Sequence, residues 1–440
     1  MTEGSLPHRA LARFLVPVII MMVAQSLTPQ FINGGLARAP NSTQTLAAFA
    51  LAWGLVDFLQ APMSQIRQVT LVLGTASRES ALRVLGFVVI TGCLLVSLLG
   101  LVSWTRGGVI LIEDLHGASP SLARVVRIAL VAMTPVPLVE GLLRYLSGLL
   151  MRVHRTDVIS SATMTGIAVS IFTVFLALSL PAVQAEPIWL PILATYAALL
   201  VDLVILVFYC VRLVLPVLPA RSSDSEPVPG WGYLARFFWP LALIMAIQGL
   251  SRPAINLFVS RGPGGEQALA ALAVVYHLAL IPYGWINEAR SLPAAFREFG
   301  DRGLRRIRDF TGGCGILAFL IMVVLFWIPF VRDLLLLDAL GVSAQVADRC
   351  VTPLFLFSFL PLTVAPRSYF HGVALLQHRT LQLAPSAPSR ILAIVLVMWF
   401  LPGSIGGAAQ AGFALLAGFI CEAIVLWWFV GPSRIHSQPV

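Results

Sequence analysis

The chain contains no lysine: all 29 of its basic residues are arginine. Acidic residues number only 20, and the charged types together make up 11% of the 440 residues. A soluble domain carries about 25% charged residues, so a surface this poor in charge excludes a soluble globular protein. Cysteine is scarce as well. The five present (Cys93, Cys210, Cys314, Cys350 and Cys421) are scattered and form no CxxC pair or Cys/His cluster, which excludes a disulfide framework and a zinc site. No HExxH, no nucleophile elbow and no Asp/Glu metal pattern occurs. The glycine-rich stretch Arg261-Gly262-Pro263-Gly264-Gly265 is followed by no Gly-Lys-Ser/Thr, so it reads as a turn rather than a phosphate cradle. An enzyme has no support here, and no metal or cofactor is expected.

What is abundant is apolar length. The composition is 58% hydrophobic and the mean hydropathy is +0.89. Apolar runs fall at roughly 14–32, 45–63, 84–104, 124–147, 158–180 and 188–214. They resume at roughly 234–256, 268–288, 310–331, 350–370, 381–401 and 408–430. Each is long enough to cross a hydrocarbon core of about 30 Å. The first run is too long for a signal-peptide core and lacks a clear cleavage site, so it reads as a retained span. Between the sixth and seventh runs, Pro216 to Gly230 is rich in proline and polar residues and marks a hinge. The expected domains are a lobe over 1–215, a linker over 216–232 and a second lobe over 233–440.

The net charge of +9 does not point to nucleic acid, because the arginines sit in short loops between spans. Topology accounts for them. With a cytoplasmic N-terminus, the outer loops hold Arg38, Arg106, Arg124, Arg261, Arg332 and Arg349, and eighteen arginines fall in inner loops. The positive-inside rule then places both termini in the cytoplasm. The composition looks bacterial, which makes the expected location the inner, plasma membrane. The run Arg302–Arg308 has four arginines; it suits anionic headgroups, but topology already explains it.

The chain also repeats itself. At an offset of 223, Arg13, Phe14, Pro17, Gln25 and Asn33 meet Arg236, Phe237, Pro240, Gln248 and Asn256. At 224, Pro137, Tyr145, Gly148, His154, Arg155 and Thr156 meet Pro361, Tyr369, Gly372, His378, Arg379 and Thr380. Apolar bias supplies matching leucines by chance; it does not supply a His-Arg-Thr. The expected fold is therefore an all-α polytopic membrane protein of about twelve spans. Six spans return the chain to its starting side, so the two lobes are parallel, related by a pseudo-two-fold along the membrane normal. Such lobes can rock about a site between them, as transporters do, although channels and scaffolds are also duplicated. The two-lobe plan requires no partner, and a monomer is expected.

Charges within spans cost at least about 2.5–3.5 kcal/mol each on insertion scales and so face a cavity or a partner. Arg127, Arg144, Arg252, Arg367 and Arg390 occupy such positions, as do Asp57, Glu140, Asp202, Glu288 and Glu422. Arg252 is opposite Pro29 in the repeat, Arg390 opposite Gly166 and Glu140 opposite Val364. These charges break the symmetry. Guanidinium forks match carboxylate and phosphate. Arg252, Arg367 and Arg390 are thus expected to line an anion site, with Gln248 and Asn256 beside them. The competing reading pairs those arginines with Glu140, Glu288 or Glu422 as structural bridges. Glu140 and Arg144 stand at i and i+4 and can bridge along one helix face. Asp57, Glu140, Arg144, Glu288, Arg290 and Glu422 are the candidates for gating or coupling. His277 reads as a packed histidine.

Several segments carry a family resemblance. Phe238-Trp239-Pro240-Leu241-Ala242-Leu243-Ile244, Ser251-Arg252-Pro253, Asn256-Leu257-Phe258-Val259-Ser260-Arg261 and Pro282-Tyr283-Gly284-Trp285 resemble the progressive ankylosis protein family. So do Leu383-Ala384-Pro385-Ser386 with Arg390, Leu415-Leu416-Ala417-Gly418-Phe419 with Glu422, and Ala61-Pro62-Met63-Ser64. The resemblance implies membership of the MATE-like superfamily of multidrug extruders and lipid-linked oligosaccharide flippases, with two six-helix lobes. It implies export of a small polyanion such as pyrophosphate, citrate or ATP, with Arg252, Arg367, Arg390, Glu288, Arg290 and Glu422 on matching positions. The long acidic C-terminal tail of animal members is absent, and the composition looks bacterial; a bacterial member need not keep the animal substrate. A cation-drug antiporter, a lipid-linked anion flippase and a non-transporting scaffold remain as alternatives.

Overall fold

Spans begin where apolar runs begin and break where proline and glycine interrupt them. The computed structural model describes residues 6–36, 40–105, 120–220, 227–262, 264–340, 343–402 and 405–431. Among these the α-helices of eight residues or more are α1 (His8–Leu36), α2 (Ser42–Gln60), α3 (Ile66–Leu73), α4 (Arg78–Trp104), α5 (Pro120–Met133), α6 (Val136–Arg152), α7 (Thr156–Ala177) and α8 (Trp189–Tyr209). They continue as α9 (Trp231–Gly249), α10 (Ser251–Ser260), α11 (Gly265–Tyr283), α12 (Gly300–Trp327), α13 (Ala344–Phe357), α14 (Leu360–Leu376), α15 (Ser386–Phe400) and α16 (Gly407–Val430). Among the described residues, eleven stretches are long and apolar enough to cross a membrane, and the bent pair α13–α14, meeting at 41°, makes a twelfth. Large apolar side chains remain on the surface: Trp104, Phe330, Trp399 and Phe400 are each more than 70% exposed. A surface of that kind is at home in lipid rather than water. The chain is a multi-pass helical membrane protein.

The duplication is visible in the backbone. Both second spans end in a tight 3₁₀ turn, at Ala61–Gln65 and at Gly284–Ser291. Both fourth spans break ahead of a repeat-matched proline, between α5 and α6 at 134–135 and between α13 and α14 at 358–359. Each fourth span then closes with a histidine in the left-handed region, His154 at φ 56° and His378 at φ 58°. The following amides close the turn, Arg155 N donating to Leu150 O (3.0 Å) and Arg379 N to Ala374 O (2.8 Å). Left-handed backbone disfavours any side chain and β-branched ones most. We therefore expect His378→Val to cost about 1–2 kcal/mol and His378→Gly to stay within about 1 kcal/mol of the parent. Thermal unfolding in detergent reads the difference; equal stabilities for the two variants would contradict the strain argument.

Two compact units emerge from the packing, one of Met1–Leu15 with Trp239–Val440 and the other of Val16–Phe238. The division falls at Leu15 and Phe238, positions that the 223-residue offset superimposes. In the Val16–Phe238 unit, α7 packs along α8 around Val174, Ala177, Leu190 and Ala194. The end of the linker belongs to this unit: Arg83 lies 5.4 Å over Trp231, and Phe87 meets Phe238 edge-on at 5.5 Å. Helix α9 already starts at Trp231, and linker residues 221–226 lie outside the described residues. In the other unit α15 packs on α16 and α12 on α14, and the start of α1 joins it through Phe14 against Phe296 at 5.6 Å.

Small residues let helices approach closely where no hydrophobic force draws them together in lipid. Gly148 on α6 and Gly372 on α14 show this most clearly. A Cβ on Gly148 would stand 2.6 Å from the carbonyl oxygen of Arg67, and one on Gly372 would stand 2.6 Å from that of Arg290. Arg67 and Arg290 are themselves repeat partners. Each unit thus seats its fourth span on the backbone of its second.

Candidate functional site

Helix α14 carries Arg367, α15 carries Arg390 and α16 carries Glu422, all within the unit that contains Trp239–Val440. The packing of α16 against both α14 and α15 brings them together. Nε of Arg367 lies 3.1 Å from Oε1 of Glu422, and Nη1 of Arg390 lies 3.5 Å from Oε2. Gln248 on α9 donates from Nε2 to the same Oε1 at 2.7 Å. Arg367 reaches the other way too, donating from Nη1 to Asn287 Oδ1 at 3.0 Å. Phe419, one turn before Glu422, presents its ring to both guanidinium groups, at 4.0 Å from Arg390 and 5.6 Å from Arg367. Arg367, Arg390 and Glu422 are buried, Glu422 to 1% exposure.

This cluster is incompletely satisfied. Nε of Arg367, Nε of Arg390 and Oε2 of Glu422 have no hydrogen-bond partner among the described residues. The carboxylate is therefore close to both cations without being aligned for charge-assisted hydrogen bonds, which run at about 2.7–2.9 Å. Two cations against one anion leave a net positive charge in a low-dielectric site, which draws an anion strongly.

Arg252 extends the positive region. The seventh span runs on to Ser260, further than its apolar run suggests, so Arg252 is two turns inside its end rather than at it. Its guanidinium lies 4.8 Å over the ring of Tyr276. Tyr276 and Tyr283 on α11 both feel the charges of Arg252 and Arg390. The break at Leu250 between α9 and α10 separates Gln248, which joins the cluster, from Asn256, which is exposed and shares no hydrogen bond with its members among the described residues. Glu288 is buried and Arg290 half-buried on the Gly284–Ser291 turn. The charges of Arg290 and Arg367 both act on the buried His371, one turn beyond Arg367 on α14.

The other unit holds a second, opposite constellation. Glu140 and Arg144 bridge at 3.2 Å along α6. Asp202 on α8 feels the charges of both. Glu140, Thr163 and Asp202 border a cavity of about 480 Å³ whose walls include Phe49, Trp53 and Gly166. A Cβ on Gly166 would stand 2.5 Å from Asp202 Oδ1, so the glycine leaves room for the acid. Gly166 is the repeat partner of Arg390; the same position holds a cation in one unit and makes way for a carboxylate in the other. Asp57 is exposed near the end of α2, 3.5 Å from Gln60, and does not reach this group. His277 is exposed rather than packed, with Nδ1 2.7 Å from Ala273 O.

Asn287, Phe419, Tyr276 and Tyr283 were not singled out in the sequence. Only Tyr283 and Phe419 carried any signal, as members of segments with family resemblance.

The fold has close counterparts among solved structures. A Vibrio cholerae MATE transporter matches with a TM-score of 0.77 at 12% identity, over 98% of this chain and 98% of that one. A MOP superfamily transporter from Pyrococcus furiosus, described as having a binding pocket of reverse polarity, matches with a TM-score of 0.73 at 16% identity, over 98% and 96%. A eukaryotic MATE transporter gives 0.68 at 14% identity, over 96% and 95%. Identities this low speak for the fold alone. The sequence profile of progressive ankylosis protein (ANKH) matches residues 3–328, about three-quarters of the chain and both units. With the fold, the duplicated spans and this match in place, the chain belongs to the progressive ankylosis protein family.

Proposed function

We propose that this chain is an alternating-access exporter of a small polyanion, citrate-like, pyrophosphate or a nucleotide such as ATP. Arg367, Arg390 and Arg252 bind it. The observation that carries the reading is the buried pair Arg367 and Arg390 sharing one carboxylate, Glu422, with the exposed Arg252 over Tyr276. A structural ion pair needs one cation per anion; this arrangement has cations to spare. The family's association with export of pyrophosphate, citrate and nucleotides supports the same class of substrate. Planar guanidinium forks bind carboxylate and phosphate oxygens in pairs, and Phe419 and Tyr276 provide flat, apolar walls for the carbon skeleton of citrate or the base of a nucleotide.

A second reading has its own observation. The acidic cavity with Glu140, Asp202, Phe49 and Trp53 has the chemistry of a site for organic cations. One panel separates the two. Purified protein in detergent and in liposomes is challenged with citrate, pyrophosphate, ATP and cationic dyes, and both thermal shift and flux are read. We expect stabilisation and flux with at least one of the anions and none with the dyes. Response to the dyes alone would replace the anion reading with the cation one, and no flux of any kind would favour a scaffold.

A further inference from the structure

The carboxylate of Glu422 occupies the place where the proposed anion has to bind. Oε1 accepts from Gln248 and lies 3.1 Å from Arg367, and Oε2 faces Arg390 at 3.5 Å. These are the contacts a substrate carboxylate or phosphate would make. The protein thus carries a bound anion of its own, attached through α16. Its grip is loose: Oε2 and both arginine Nε atoms have no hydrogen-bond partner among the described residues.

The repeat argues against a purely structural pair. The positions equivalent to Arg367, Arg390 and Glu422 in the other unit are Leu143, Gly166 and Ala198. That unit builds the same helices with no charge at any of the three positions. The triad is therefore an addition to the packing rather than a requirement of it. Nor does the carboxylate have freedom to retreat far. A Cβ on Gly418, one turn earlier on α16, would stand 3.2 Å from both Cγ and O of Arg390, so α16 is pressed against α15 at this level.

We propose that Glu422 is a tethered counter-anion: it fills the Arg367–Arg390 pair in the empty protein and competes with the incoming carboxylate or phosphate group. This rests on the anion site proposed above. Two physical needs meet in such a residue. Buried guanidinium groups without a counter-charge carry a desolvation penalty, and Glu422 offsets it while no substrate is present. An exporter must also let its cargo go, and an internal competitor keeps the site from holding an oxyanion too tightly.

The test uses the full chain, with pyrophosphate and sulfate as probes and affinity read by calorimetry and thermal shift. Glu422→Gln keeps the shape but removes the competing charge, and should bind pyrophosphate at least tenfold more tightly than the parent. Glu422→Asp, which retains the charge but draws it back by one methylene, should bind severalfold more tightly and guards against misfolding of the neutral variant. Glu422→Ala leaves room for a free carboxylate, so acetate should raise its thermal stability by more than it raises the parent's. Unchanged or weaker pyrophosphate binding by the Gln and Asp variants overturns the proposal, as does a failure of acetate to stabilise the Ala variant selectively. If neither the parent nor any variant binds pyrophosphate or sulfate, the anion site itself is wrong. If the parent binds and the variants do not tighten, only the role of Glu422 is.

Discussion

Arg390→Ala should reduce pyrophosphate or citrate flux in reconstituted vesicles by at least a hundredfold. The side chain is buried on α15, its Nη1 lies 3.5 Å from Glu422, and its guanidinium stacks 4.0 Å above Phe419. Truncation removes a whole fork of donors, and Glu422 then neutralises Arg367 alone, so the surplus positive charge of the pair disappears. A hundredfold loss corresponds to about 2.7 kcal/mol, within the range expected for removing a charged partner from a desolvated site. Arg390→Lys should fall between, because an ammonium keeps the charge but not the planar fork. Vesicles carrying the alanine variant at parental flux, with parental amounts of folded protein, would remove Arg390 from the site.

The second large effect concerns the fold. Gly372→Ala should lower thermal stability clearly, although alanine is a better helix former than glycine by about 1 kcal/mol. The new Cβ would meet the Arg290 carbonyl oxygen at 2.6 Å and the Pro293 ring at 2.8 and 2.9 Å. Neither a backbone carbonyl on a 3₁₀ turn nor a proline ring can swing aside, so α14 has to lift off the turn. Overpacking of this sort costs about 1–3 kcal/mol. Gly148→Ala should behave alike, because its Cβ would meet the Arg67 oxygen at 2.6 Å and Thr70 at 2.7 Å. Gly54→Ala on α2, with nothing within 4 Å, is the control and should be neutral or stabilising. An unaltered melting temperature for Gly372→Ala would mean that the close seat of the fourth span on the second is not rigid. The effect should extend to transport, since Asn287 and Arg367, the two ends of a 3.0 Å hydrogen bond, lie on the two elements that would separate.

The acidic and basic constellations make the two units chemically different despite their shared helices. Glu140 and Arg367 lie on helices that the repeat pairs, α6 and α14, while Asp202 on α8 stands at Gly166, the repeat partner of Arg390. Gene duplication supplies two equivalent scaffolds, and the asymmetry of charge is where the copies have diverged.

Local rules read much of this from the chain alone. Span number followed from apolar length, because bilayer thickness sets how many residues a helix needs. The duplication followed from residues that apolar bias cannot match by chance, and it extends to the 3₁₀ turns, the proline breaks and the left-handed histidines. The Glu140–Arg144 bridge was legible because a helix brings i and i+4 together whatever surrounds it. The arginine cluster was legible only as a set of costly charges in need of company. Which partners they take depends on how α9, α14, α15 and α16 pack, and hydropathy carries no trace of that. Asn256 and Asp57 are polar residues in or near spans just as Gln248 and Glu422 are, yet the fold brings only the latter pair to the arginines. The break at Leu250 separates Gln248 from Asn256, and burial of α16 against α14 and α15 delivers Glu422. Membrane insertion demands that each buried charge find a counterpart; only tertiary packing decides which one is near enough.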